Sequence, residues 1–138
     1  MSFYKVTVYS LGGELLSPLV RHQRLLVRYR VGEWAYPPYP GLPLTAYSNI
    51  IPARILALSL PFSDVYRCEV KNPRPITLVP RPDLTSQPEQ KLRKLWAEIL
   101  DGTAKDRYPF TPADPFVMVC DALRLTEMLP HDAREWVH

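Results

Sequence analysis

The sequence predicts an α+β fold: a mixed or mainly antiparallel sheet packed by two helices, in one compact domain. Period-two apolar alternation recurs over residues 3–9, 24–34 and 64–71, as in half-buried strands. Two helical patterns, over 49–60 and 83–102, fall irregularly among those strands. At 138 residues and 46% hydrophobic content the chain can build one core and is too short for two comfortable domains.

The first strand sets Tyr4, Val6 and Val8 on one side and Lys5 and Thr7 on the other, and ends at Gly12-Gly13. Over 24–34, Val27, Tyr29 and Val31 point one way, and Arg24, Leu26, Arg28 and Arg30 point the other. This strand is expected to bury one face and to show a row of guanidinium groups on the other.

Trp34, Tyr36 and Tyr39 follow among prolines 37, 38, 40 and 43. Proline holds this loop extended, so the rings either stack a ligand beside the arginines or fold back over an open edge of the core. A short strand at 44–47 leads to a helix capped by Ser48 or Asn49. Pro52 is tolerated only in the first turn, so the helix starts just before it, sets Ile51, Ile55 and Leu58 on one face, and stops at Pro61.

Residues 64–71 alternate again, with Tyr66, Cys68 and Val70 opposite Val65, Arg67 and Glu69. Asn72-Pro73 breaks this strand ahead of a short extended piece at 75–79. Over 83–102, Ser86 and Glu89 form a capping box, Pro88 lies in the first turn and Gly102 supplies a left-handed stop. Leu92, Leu95, Trp96, Ile99 and Leu100 make its apolar stripe, with Lys91, Arg93, Lys94 and Glu98 on the solvated side. The run 116–120 is apolar on both faces, which predicts a central strand continuing through 121–125. The tail 131–138 is expected to form a short helix anchored by Trp136.

Composition narrows the setting. Sixteen prolines, few Asn and Gln, and twelve Arg against five Lys suit a protein of a hyperthermophile, because loop proline lowers unfolded-state entropy and ion hydration weakens with heat. The formal charge of +3 resides in the first 48 residues, where five cations face two carboxylates. That concentration fits a nucleic-acid or other anionic partner, and fits equally a solvated strand face. No apolar run is long enough to span a bilayer, and residues 1–5 lack the plan of a secretory signal, so no membrane association is expected.

Catalytic and cofactor motifs do not emerge. Gly12-Gly13 lacks the lysine of a phosphate loop, and His22, His131, His138, Cys68 and Cys120 have no metal-ligand spacing. No cofactor, metal or catalytic residue is therefore assigned. Cys68 and Cys120 fall on strands predicted to be buried, either as inert thiols or as a disulfide worth about 4 kcal/mol across a ~50-residue loop. The expected binding residues are Arg24, Arg28, Arg30, Trp34, Tyr36 and Tyr39, with nucleic acid or a protein as partner; the oligomeric state is left open. An alternative is a small ADP-ribosyltransferase-like enzyme that binds NAD. There Arg28 or His22 would hold the pyrophosphate, the ring at Tyr47-Ser48 would stack the nicotinamide, and Glu69 would steady the oxocarbenium-like ribose.

The succession Tyr29-x-Val31-Gly32-Glu33-Trp34, the 44–47 strand with its helix, Tyr66-x-Cys68-Glu69-Val70-x-Asn72-Pro73, the helix bearing Trp96, and Asp121-Ala122-Leu123-Arg124-Leu125 resembles a diffuse family of small uncharacterised proteins from phage, bacterial and archaeal-virus genomes. The sequence departs from it at Ala113-Asp114, where the family often has Gly-Thr. The resemblance implies the order of elements and transfers no catalytic residue. Together with the composition it implies a virus of a hyperthermophilic archaeon, with the protein acting in the host cytoplasm or the virion.

Overall fold

A computed structural model describes residues 2–10, 13–16, 27–38, 41–81, 84 and 88–130. The elements in chain order are β1 (Phe3–Tyr9), β2 (Leu15–Leu16), β3 (Arg28–Tyr29), β4 (Trp34–Ala35), β5 (Leu44–Tyr47), α1 (Ile50–Ser59) and β6 (Ser63–Lys71). They continue with β7 (Arg74–Pro75), β8 (Leu78–Pro80), α2 (Glu89–Asp101), β9 (Phe110–Pro112), β10 (Val117–Cys120) and β11 (Ala122–Leu129). The fold is α+β, and the strand pairings among the described residues are antiparallel.

The main sheet runs β4-β11-β6-β1-β5-β10-β7, with β2 paired to the end of β1 and β3 paired to β2. The predicted continuous strand through 116–125 is instead two strands, β10 and β11, which lie four places apart in the order β11-β6-β1-β5-β10. Asp121 alone joins them. One residue reaches less than ~4 Å, so the sheet must curl until these strand ends meet. The corner is held by side chains: the Asp121 carboxylate accepts from Asn72 Nδ2 at 3.0 Å and Arg74 Nη1 at 3.1 Å. Those hydrogen bonds, the Asn72 bond first, hold the Asp121 carboxyl below the usual carboxylate range.

Curling gives the sheet an inner face that forms the main core. Phe3, Tyr29, Leu44, Tyr66, Cys68, Cys120, Leu123 and Leu125 pack there, with Val27 and Tyr29 carried in by the segment around β3. Lys5 and Thr7, on the less apolar side of β1, are buried as well. The opposite face is covered over Val6, Tyr47, Val65 and Leu129 by α1.

Three local expectations are corrected. The strand predicted over 24–34 is reduced among the described residues to β3 and β4, because Gly32 at φ 87° turns the chain between them and leaves Val31 exposed. Asn49 caps α1 as expected, its Oδ1 accepting from Ile51 N at 2.8 Å. The face of α1 turned to the sheet, however, carries Ala53, Arg54 and Ala57, while Ile51, Ile55 and Leu58 face outward. Close approach of a helix to a crowded sheet selects small side chains, and alanine gives the shortest spacing. Finally, the two helices do not share one sheet. α2 starts at Glu89 after Pro88, with no side-chain cap, and its Leu95 packs with Leu84, Phe110 and Leu78 against the separate β8–β9 ribbon. Leu92 and the half-buried Trp96 meet Leu42, whereas Leu100 is exposed. Ser86 and the tail 131–138 with Trp136 lie outside the described residues.

Candidate functional site

Beyond the cover of α1, the outer face of the sheet is open and carries alternating charge. Val65 lies under α1, and Arg67, Glu69 and Lys71 follow in the same phase of β6, exposed. β11 answers residue for residue: Glu127 is opposite Arg67, and Arg124 opposite Glu69. The resulting ion pairs measure 2.9 Å for Arg67–Glu127 and 2.7 Å for Arg124–Glu69. A register shift between Leu125 and Glu127 admits Thr126, whose hydroxyl donates to Arg67 O at 3.0 Å.

β4 extends this face by one strand. The Gly32 turn is fixed on β11 by Gly32 N donating to Leu125 O at 2.8 Å, which brings Trp34 opposite Arg124. Lys71 Nζ lies 4.4 Å from the Trp34 ring centroid and 5.8 Å from that of Tyr36, and the Arg124 guanidinium lies 5.0 Å from the Trp34 ring. Arg124 also has a carboxylate partner, whereas Lys71 has none among the described residues. The Lys71 ammonium thus lies within cation–π reach of two rings, with no acid compensating its charge among the described residues.

Of the six residues expected to bind, Trp34 and Tyr36 lie together on this strip. Arg28 is exposed, but its Nε pairs with Glu14 Oε2 at 2.9 Å, which compensates part of the expected guanidinium row. Arg30 is exposed in the turn that precedes Trp34. Arg24 and Tyr39 lie outside the described residues. Lys71 and Arg124 were not anticipated as members of the site; the alternation of β6 put Arg67 and Glu69 on an outer face, but nothing local to Trp34 points to that strand.

The residues of the NAD-enzyme alternative are not brought together. Glu69 is engaged by Arg124, and Tyr47 lies under α1 with its hydroxyl donating to Asp114 Oδ2 at 3.2 Å. β1 lies between their strands, which separates their backbones by roughly 12 Å. Ser48 Oγ donates to Phe116 O at 3.4 Å, Arg28 faces Glu14, and His22 lies outside the described residues.

A second polar group sits inside the core. Lys5 Nζ donates to Thr45 O at 2.7 Å and to Thr45 Oγ1 at 3.3 Å, and lies 5.7 Å from the Tyr29 ring centroid. Burial draws its pKa down to about 8, against a smaller opposing effect of the Cys120 and Cys68 thiols. Both cysteines are free and buried, and burial pushes Cys68 up to about 12 and Cys120 up to about 11. Such thiols are protonated and shielded, which makes them poor nucleophiles.

Among the described residues, no three His, Cys, Asp or Glu side chains are grouped to hold a metal ion, and no helix is long and apolar enough to cross a membrane. Comparison with protein-family models, curated proteins and solved structures gives no match to this chain.

Proposed function

We propose that this protein is a non-enzymatic binding module whose cation–aromatic strip takes single-stranded nucleic acid. The observation that carries the reading is Lys71 within cation–π reach of the Trp34 and Tyr36 rings without an acidic partner among the described residues. A single strand presents π-faces and phosphates in alternation, and the half-buried Trp34 and exposed Tyr36 rings beside a cation offer both contacts at a spacing of one or two nucleotides. Arg30, exposed in the turn ahead of Trp34, adds attraction whose strength falls with salt, because each phosphate contact releases counterions. A thermophilic archaeal virus as source, with action in the host cytoplasm or virion, belongs to the same proposal; the proline and arginine usage supports it.

The test is titration of a labelled oligothymidylate at 50 to 300 mM salt with the wild type, Trp34→Ala and Lys71→Ala. Loss of one stacked base should weaken binding by roughly 5- to 100-fold in Trp34→Ala. Lys71→Ala should reduce the logarithmic salt slope by about 0.7. Absence of binding at the lowest salt, or equal binding by all three proteins, refutes the reading.

A further inference from the structure

Helix α1 is apolar on both faces, and one of them is left to water. It buries Arg54, its only charged residue, together with Ala53 and Ala57, and points Ile51, Ile55 and Leu58 outward, with 57% of Ile55 and 66% of Leu58 exposed. Their i, i+4, i+7 spacing makes one continuous stripe along the helix. Ile50, Leu56 and Leu60 already pack with Ala53 and Ala57 on the sheet, so Ile51, Ile55 and Leu58 are a second apolar face that a water-facing side would ordinarily fill with charged or polar residues.

The two ends of α1 repeat the pattern independently. Phe62 follows the helix at φ 56° and is 80% exposed, and Phe116, at φ 67°, meets the chain just ahead of the helix through Ser48 N donating to its carbonyl at 2.9 Å. A left-handed conformation is strained for a bulky residue and is usually given to glycine or asparagine. Both strained positions are pinned by backbone hydrogen bonds, Phe62 O accepting from Tyr9 N at 2.9 Å. Such strain is found where a surface is used rather than where a loop merely turns.

From this we infer that the outer face of α1, flanked by Phe62 and Phe116, is a twofold interface with a second copy of this chain. The five side chains expose on the order of 600 Å², as much as the largest patch on a typical monomer and most of the ~800 Å² per partner that a stable interface requires. The absence of charge selects the occupant. An isologous contact sets each residue near the axis against its own copy, so any charge there meets a like charge. The stripe carries none, so it can face itself without electrostatic cost, and it offers no handle to an acidic or basic partner. Antiparallel packing of α1 on its copy would place Ile55, midway along the stripe, near the axis and each phenylalanine beside the partner helix.

The experiment is sedimentation velocity on the full chain from 1 to 100 µM, with wild type, Leu58→Glu and Ile55→Cys. Wild type should sediment as a dimer, and Leu58→Glu should weaken self-association by roughly 30-fold or more while keeping the wild-type circular dichroism. Ile55→Cys, a smaller change that guards against misfolding of the charged variant, should form a disulfide-linked dimer on mild oxidation, whereas wild type, with both cysteines buried, should not. A monomeric wild type at 100 µM, or a dimer unaffected by Leu58→Glu, overturns the inference. So does a monomer that co-sediments with neutral phosphatidylcholine vesicles, since the face would then serve a lipid surface.

Discussion

Replacing Lys5 by methionine should stabilise the protein at neutral pH and destabilise it at high pH. Lys5 is buried against Tyr29, and its pKa falls from 10.5 to about 8. A displacement of that size corresponds to about 3 kcal/mol, by which the charged lysine opposes folding. Methionine fills a similar volume without the charge, but leaves Thr45 O without the donor now at 2.7 Å, a cost of about 1 kcal/mol. The variant should therefore gain about 2 kcal/mol at pH 7. As pH rises from about 8 to 10.5 the unfolded wild type holds more protons than the folded protein, so the wild type recovers stability over that window. The advantage of Lys5→Met shrinks accordingly and reverses to a deficit of about 1 kcal/mol near pH 10.5. Cys68 and Cys120, raised from 9.0 to about 12 and about 11, act oppositely: the folded state keeps protons that the unfolded state releases, so stability falls above pH 9. Lys5 draws both thiol pKa values down, so its removal raises them further and deepens that loss in Lys5→Met, adding to the variant's deficit at high pH. Guanidinium titrations at intervals from pH 6.5 to 10.5 measure the gap directly. A gap that does not change with pH, or a variant less stable than wild type at pH 7, would show that Lys5 is not held as a destabilised buried cation.

Trp96→Ala should cost about 2–3 kcal/mol by chemical denaturation, the lower part of the range for a deleted tryptophan, because the ring is only half-buried against Leu42 and Leu92; no change would place Trp96 outside the α2 core. Gly32→Ala should cost about 1–2 kcal/mol, since φ is +87° and nothing lies within 4 Å of the added methyl, so the penalty is conformational alone. Gly32→Asn should cost roughly half as much, because Asn tolerates left-handed backbone, and equal losses for the two would point to a steric cause instead.

Local pattern carried the elements further than it carried their arrangement. β1 and β6 follow from alternation at Val6 and Val65 and at Cys68 and Glu69, because a period-two signal is a property of the strand itself. Asp121 and Arg124 are the only polar residues in the run 116–125, and a one-residue corner at Asp121 leaves the apolar pattern almost intact, so β10 and β11 read as one strand. In α1, large aliphatics occur on both faces, so hydrophobicity alone did not choose between Ile51, Ile55 and Leu58 and the set Ile50, Ala53, Leu56 and Ala57, and the closer approach that the alanines allow decided it. The aromatic half of the candidate site was visible because Trp34 and Tyr36 are neighbours in sequence. Its cationic half was not, since Lys71 and Arg124 join it only through the pairing of β11 with β4 and β6.

The strip and the α1 stripe lie on the same side of the sheet, because Val65 beneath the helix and Arg67, Glu69 and Lys71 beyond it alternate in one phase along β6. In the dimer inferred above, a twofold axis through α1 would set the two strips on opposite sides of a stack of sheet, helix, helix and sheet, each on a sheet that curls away from the axis. With layers roughly 10 Å apart, the facing sheets stand about 30 Å from one another. Under the proposed single-strand reading, such a gap would leave each strip open to a nucleic-acid strand lying along its own wall. A strand long enough to reach both walls would bind each at an effective concentration set by the gap, while a short one would meet a single strip. Because none of Trp34, Tyr36, Lys71 or Arg124 belongs to α1, disruption of the helix face leaves the single strip whole. Loss of the rings likewise leaves the α1 face whole, so the proposed binding strip and the inferred dimer contact can be removed one at a time.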